Sequence, residues 1–178
     1  MSNSLYICLL VGWLFAASVP PVAAASNNLK LHGALVAEPC TLSPGDENVQ
    51  LDFGTTIDKY LYLNGRTNSK AFQLHLIDCD ITLGKTLRIT FNGTENSKLP
   101  GLLALDGSSQ ANGVAIGMEN PQGQPLPLNR KTGTYTLTDG NNVINLLAYV
   151  RGEPEAISNK SIGRGTFTAI TTFSLEYE

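Results

Sequence analysis

The sequence predicts an all-β fold, an antiparallel sandwich of the immunoglobulin kind, on three observations. Short runs in which every second residue is apolar recur along the chain, each closed by Gly, Asn or Pro. No window longer than a turn or two carries a helical period. The strands are many, short and spaced by turn chemistry, without repeats or low complexity, which is the pattern of a sandwich rather than of alternating helices and strands.

The chain opens on an export signal. Leu5 to Val19 is apolar except for Ser18, and Pro20, Pro21 and the small run Ala23-Ala24-Ala25 follow, an A-x-A cleavage site ahead of Ser26. A membrane anchor is the competing reading, but the apolar run is shorter than the roughly 20 residues that a bilayer needs. No Lys or Arg precedes it, so the N-terminal amine supplies the only positive charge. Residues 1–25 are therefore expected to be a signal peptide, leaving a mature chain of about 150 residues, enough for one core.

The first mature segment alternates at once. Leu29, Leu31, Gly33 and Leu35 stand against Lys30, His32 and Ala34, a strand with no hairpin partner nearby, because Pro39 breaks the run and Ser43-Pro44-Gly45 opens a loop. Next come Val49, Leu51 and Phe53; Phe72, Leu74 and Leu76; and Leu87, Ile89 and Phe91 before Asn92-Gly93. Val114, Ile116 and Met118, then Tyr135 and Leu137, then Ile144 to Val150 continue the series. Leu99 to Leu105 is apolar but interrupted by Pro100 and Gly101. The last run, Thr166 to Tyr177, places Phe167, Ala169, Thr171, Phe173, Leu175 and Tyr177 on one side. A chain that begins and ends on exposed strands is built to join others.

Cysteine usage agrees with export. Cys8 falls in the signal, which leaves Cys40 and Cys79 as an even pair in an oxidising compartment, read as a disulfide. Closing a loop of that length contributes on the order of 4 kcal/mol in the chain-entropy model. A two-thiol metal site or a redox pair would need further ligands or a C-x-x-C spacing, and neither is present. The formal net charge of −3 is spread along the chain, without a basic patch for nucleic acid or a second apolar span for stable membrane insertion.

Catalytic readings find little support. His32 and His75 both sit in alternating runs, where surface or pairing roles suffice, and no nucleophile, base and orienting group can be assembled. Asp78, Asp80, Glu95, Asp106 and Asp139 lie beside turns, and no spacing pairs them for acid–base work. Asn92-Gly93-Thr94 and Asn159-Lys160-Ser161 fit a glycosylation pattern but are read as turns. The expectation is a non-enzyme without metal or cofactor.

Taken together, the signal, the alternating extension with its glycine, the cysteine pair and the closing strand with a penultimate tyrosine resemble a pilin subunit of the chaperone–usher pathway. Gly165, fourteenth from the end, matches the glycine that such subunits carry before their last strand. Thr90-Phe91-Asn92-Gly93-Thr94-Glu95 with Leu99-Pro100-Gly101, and Ala148-Tyr149-Val150 with Pro154-Glu155-Ala156 and Lys160-Ser161, are similar to the minor adaptor subunit of the P-pilus tip fibre.

The resemblance implies an immunoglobulin-like sandwich lacking its final strand, completed by donor-strand exchange. It divides the mature chain into a donor-strand extension, 26–37, and a pilin domain, 38–178. Leu29, Leu31 and Leu35 become the inserted side chains, and Gly33 passes a constricted point of a neighbour's groove; a bend in an ordinary edge strand is the other reading of Gly33. Gly165, Phe167, Ala169, Thr171, Phe173, Leu175 and Tyr177 border the receiving groove, and the carboxylate of Glu178 is held by basic residues of a chaperone. A plain core-facing strand would show the same inward face, so free backbone groups along that edge are what distinguish the two. Implied partners are a periplasmic pilus chaperone, an outer-membrane usher and neighbouring pilin subunits, on the way through the periplasm to an adhesive fimbria on the surface of a Gram-negative cell. The alternative function is a carbohydrate-binding fimbrial adhesin or a secreted β-sandwich lectin, which would be monomeric and stable alone.

Overall fold

The computed structural model describes residues 37–178, and the donor-strand expectations for Leu29, Leu31, Gly33 and Leu35, like the signal peptide, lie outside the described residues. Two sheets face each other. The larger has the order β1-β2-β8-β6-β5-β4 and the smaller β7-β3-β9, and every ladder is antiparallel. The large sheet is built from β1 (Thr41–Leu42), β2 (Lys70–Cys79), β4 (Glu95–Asn96), β5 (Leu99–Leu103), β6 (Val114–Glu119) and β8 (Gly140–Gly152). The small one is built from β3 (Thr86–Asn92), β7 (Tyr135–Thr136) and β9 (Thr172–Tyr177).

Period-two alternation puts one face of each strand inside. Leu74 and Leu76 of β2 and Ile144, Leu146, Ala148 and Val150 of β8 are buried in the same core as Leu87, Ile89 and Phe91 of β3. At roughly 1.5–3 kcal/mol for each large apolar side chain removed from water, this layer is the main favourable term in folding. Cys40 and Cys79 are joined and buried at the edge of that core, with Cα atoms 4.0 Å apart, just under the usual span of about 4.4–6.8 Å.

Strand β6 is buried on both faces, and its outer face is covered by one side-chain stack. Tyr149 lies so close over Gly117 that a Cβ there would overlap its ring. Arg66 caps the same ring at 3.6 Å from its centroid and forks onto Glu119, donating to Oε2 at 2.9 Å and Oε1 at 2.7 Å. Ser69 also donates to Glu119 Oε1, at 2.5 Å. These bonds hold the Glu119 carboxyl below the usual range, Arg66 being the largest cause.

Among the described residues two short α-helices interrupt the strands. In α1 (Asp58–Asn64), Leu61 turns into the core, and the helix stops at Gly65 (φ 77°), whose N–H donates to the Leu61 carbonyl at 2.8 Å. In α2 (Pro154–Ser158), Pro154 occupies the first turn, where its missing N–H costs nothing, and Ala156 is buried.

Three local expectations are modified. Val49 to Phe53 forms no strand: Leu51 and Phe53 rest half-buried against the core, but their peptide groups make no ladder among the described residues. Alternation reports which side chains face inward, and it does not supply a neighbouring strand. Leu99–Leu103 does form a strand, despite Pro100 and Gly101, because both fall where the β4–β5 register slips and no regular bond is required. The final alternating run is a regular strand only over Thr172–Tyr177.

Candidate strand-accepting edge

Among the described residues, strand β9 has a neighbour on one side only. It pairs with β3 from Leu87↔Tyr177 to Asn92↔Thr172, and no other described strand reaches it. The parity of that ladder is set at Glu178: its N–H donates to the Thr86 carbonyl at 2.9 Å and its carbonyl accepts from the Thr86 N–H at 3.1 Å. Hydrogen-bonded rungs alternate in an antiparallel pair, so Glu176, Ser174 and Thr172 also turn their peptide groups toward β3. Those of Phe173, Leu175 and Tyr177 point the other way, off the edge of the sheet.

The chain ahead of β9 continues this parity. The Thr166 carbonyl accepts from Gln110 and Ala111 (2.9 and 3.1 Å), and the Thr168 carbonyl accepts from Asp106 at 2.8 Å and from the Ser109 hydroxyl at 3.1 Å. The N–H and C=O of Phe167 and Ala169 have no partner among the described residues. A row of open peptide groups therefore runs along one edge from Phe167 to Tyr177.

Apolar side chains line the same edge. Phe167, Ala169, Thr171, Phe173, Leu175 and Tyr177 are all half-buried, and Thr166, Thr168, Ile170, Thr172, Ser174 and Glu176 between them are exposed. Across the ladder the facing residues of β3, Leu87, Ile89 and Phe91, are fully buried. One core layer is thus sealed by its neighbours while the next is not, as expected of a sheet that stops one strand short. Partial burial raises the Tyr177 phenol above its ordinary value, with a smaller push from Glu38. Phe53 packs beside the start of this edge, its ring centroid 6.2 Å from that of Phe167.

Gly165 opens the run and its backbone requires glycine. Its φ of 146° is a conformation L side chains rarely adopt, and a Cβ would stand 2.5 Å from Gln110 Cβ. Beside it lies an apolar hollow lined by Ile57, Leu61, Ala111, Val114, Val150 and Phe167. At the other end Glu178 is engaged within the subunit, since its main-chain oxygen also accepts from Lys85 N–H at 3.0 Å and its side-chain carboxylate lies 3.2 Å from Arg88 Nε. Glu176, on the opposite face of the run, pairs with Lys131 at 2.6 Å, a link that sequence reasoning missed. It also missed the link between His75 and Asp46, 2.9 Å apart, in which the His75 backbone N–H holds the Asp46 carboxyl below its usual range.

Comparison with known proteins agrees with this architecture. The rod subunit PapA of the P pilus superposes with a TM-score of 0.69 at 24% identity, covering 79% of this chain and all of that one. An uncharacterised fimbrial-like protein of Escherichia coli K12, YfcP, is 37% identical over 95% of this chain and 93% of its own. The fimbrial adapter PapK of Escherichia coli is 32% identical over 92% and 94%, and the major MR/P fimbria protein of Proteus mirabilis 31% over 85% and 84%. The fimbrial protein family model matches residues 29–178. With an incomplete immunoglobulin-like sandwich and a match across its whole described body, this chain belongs to the fimbrial protein family of structural subunits, not enzymes.

Proposed function

We propose that this fimbrial subunit polymerises by donor-strand exchange, with the edge from Phe167 to Tyr177 receiving the N-terminal extension of a neighbour. The observation that carries the reading is the coincidence of open peptide groups with half-buried apolar side chains on that one edge. An added strand supplies both the missing hydrogen bonds and the missing apolar cover. Leu29, Leu31 and Leu35 of the arriving extension contribute about 6 kcal/mol together, at about 2 kcal/mol each. A whole domain is stable by only about 5–15 kcal/mol, so an unfilled edge endangers folding itself.

That instability is why a periplasmic chaperone is included as a partner, lending a strand before a neighbouring subunit replaces it at an outer-membrane usher. The terminal carboxylate of Glu178, whose main-chain oxygen accepts from Lys85 and Thr86, would be held by the chaperone's basic residues. The likeness to an adapter over nearly the whole chain supports a minor, adaptor position in a surface fimbria of a Gram-negative cell. The test is to express the mature chain with and without a fimbrial chaperone. The reading expects aggregation or proteolysis alone and a soluble complex with the chaperone, whereas a stable folded monomer without any donor contradicts it.

A further inference from the structure

An exposed apolar patch and a single exposed leucine sit at opposite ends of the open edge, and the donor-strand reading explains neither. At the Gly165 end, Ile57, just ahead of α1, and Tyr60 and Leu63 on it are turned to solvent, Ile57 being 60% and Leu63 85% exposed. Around Leu63 lie Lys59, Lys160 and Arg164; Arg164 pairs with Asp58 at 2.6 Å, while Lys59 and Lys160 have no ionic partner among the described residues. At the Tyr177 end, the turn from Asp80 to Gly84 carries Leu83, 54% exposed. Asp78, Asp80 and Asp139 stand exposed around it, none with a cationic partner among the described residues.

The acidic turn is also where the extension leaves the body. Asp80 N–H donates to the Pro39 carbonyl at 2.7 Å, and Gly84 packs so tightly on Pro39 that a Cβ would lie 2.8 Å from its ring. Only Val36 to Pro39 separates Leu35 from Cys40, so a body follows its own donor strand within about 17 Å. Every ladder of this fold is antiparallel, the more stable pairing. An antiparallel strand added to the Phe167–Tyr177 edge emerges at Gly165, beside α1. The face of the donating body that arrives there is the Pro39 and Leu83 face.

Resting on the donor-strand reading, we propose that Ile57, Tyr60 and Leu63 of one subunit form the seat for the body of the next, which docks through an acidic turn tipped by an exposed leucine, as in this chain's own Asp78–Gly84. Lysines on one side meet aspartates on the other, and apolar residues meet at the centre. Because the two patches differ and lie at opposite ends, the contact is head-to-tail and propagates rather than closing a dimer. The occupant used in the test is a second copy of this chain.

The test compares two donors on the chaperone-held mature chain: a synthetic peptide of residues 26–39, and a second, differently tagged chaperone-held chain. Leu63→Gln in the acceptor should slow exchange with the whole chain by roughly three- to tenfold and leave exchange with the peptide unchanged. Leu83→Gln in the whole-chain donor should have a similar effect. Combining the two should cost no more than either alone, because both remove one contact. The advantage of wild-type whole chain over peptide should also shrink as salt is raised. Equal slowing of both donors, no slowing, or additive effects of the two substitutions would overturn the seat while leaving strand exchange standing. Failure of the peptide to exchange at all would overturn the donor-strand reading, and the seat with it.

Discussion

Ile89 and Leu175 face each other across one rung of the β3–β9 ladder, yet Ile89 is wholly buried and Leu175 only half-buried. Adjacent positions of one sheet face normally share a layer and bury together. The difference across a single rung locates the gap in this sandwich on the far side of β9.

Phe173 borders that gap opposite Phe91. Replacing it with Asp places a charge on the half-buried apolar edge where the proposed donor strand would pack, and the expected outcome is loss of chaperone capture and of soluble protein. Glu176→Ala, three residues on and on the opposite face, removes only an exposed ion pair with Lys131 and should cost at most about 1 kcal/mol. Pull-down from periplasmic extracts reads both.

Gly165→Ala forces a side chain into a backbone conformation suited to glycine and against Gln110. It should destabilise the donor-filled subunit by about 1–3 kcal/mol in a denaturant titration. Gly107→Ala, where a Cβ meets nothing within 4 Å and the backbone is ordinary, should be close to neutral.

The Arg66–Glu119 pair gives a pH signature. The Glu119 carboxyl is depressed in the folded state, so its contribution is complete above the unfolded value of about 4.3 and is lost as pH falls through the lower folded value. Glu119→Gln should be about 1–3 kcal/mol less stable at neutral pH, with Arg66 left half-satisfied. It should also lose less stability than wild type as pH drops below about 4, which melting curves of the donor-filled subunit across that range would show.

Much of this was legible because alternation survives wherever one face is buried. Leu87-Ile89-Phe91 and Leu74-Leu76 read directly as core strands, and Cys40 and Cys79 read as a pair. Alternation also marked Phe167 to Tyr177 as one face, but it could not show that this face is only half covered, since a period of two says which side chains share a face and not whether a neighbouring strand covers them. Helix α1 escaped because seven residues hold too few turns for a period to stand out, and its stop signal, Gly65, is a single residue. The Arg66–Glu119 fork joins positions 53 residues apart, a distance over which the sequence carries no pattern.

The most direct measurement is amide hydrogen exchange along the edge, made on the mature chain with Leu31→Asp and Leu35→Asp so that its own extension cannot serve as donor. Diluted out of denaturant without a donor and sampled before it aggregates, the chain should leave the amides of Phe167, Ala169, Thr171, Phe173, Leu175 and Tyr177 exchanging freely. Refolded with a wild-type peptide of residues 26–36, the same six should slow by about 100-fold or more, while Thr172, Ser174 and Glu176, already bonded toward β3, change far less. Protection of those six amides in a monomer with no donor present would contradict the account, because the edge would then be closed by the subunit itself.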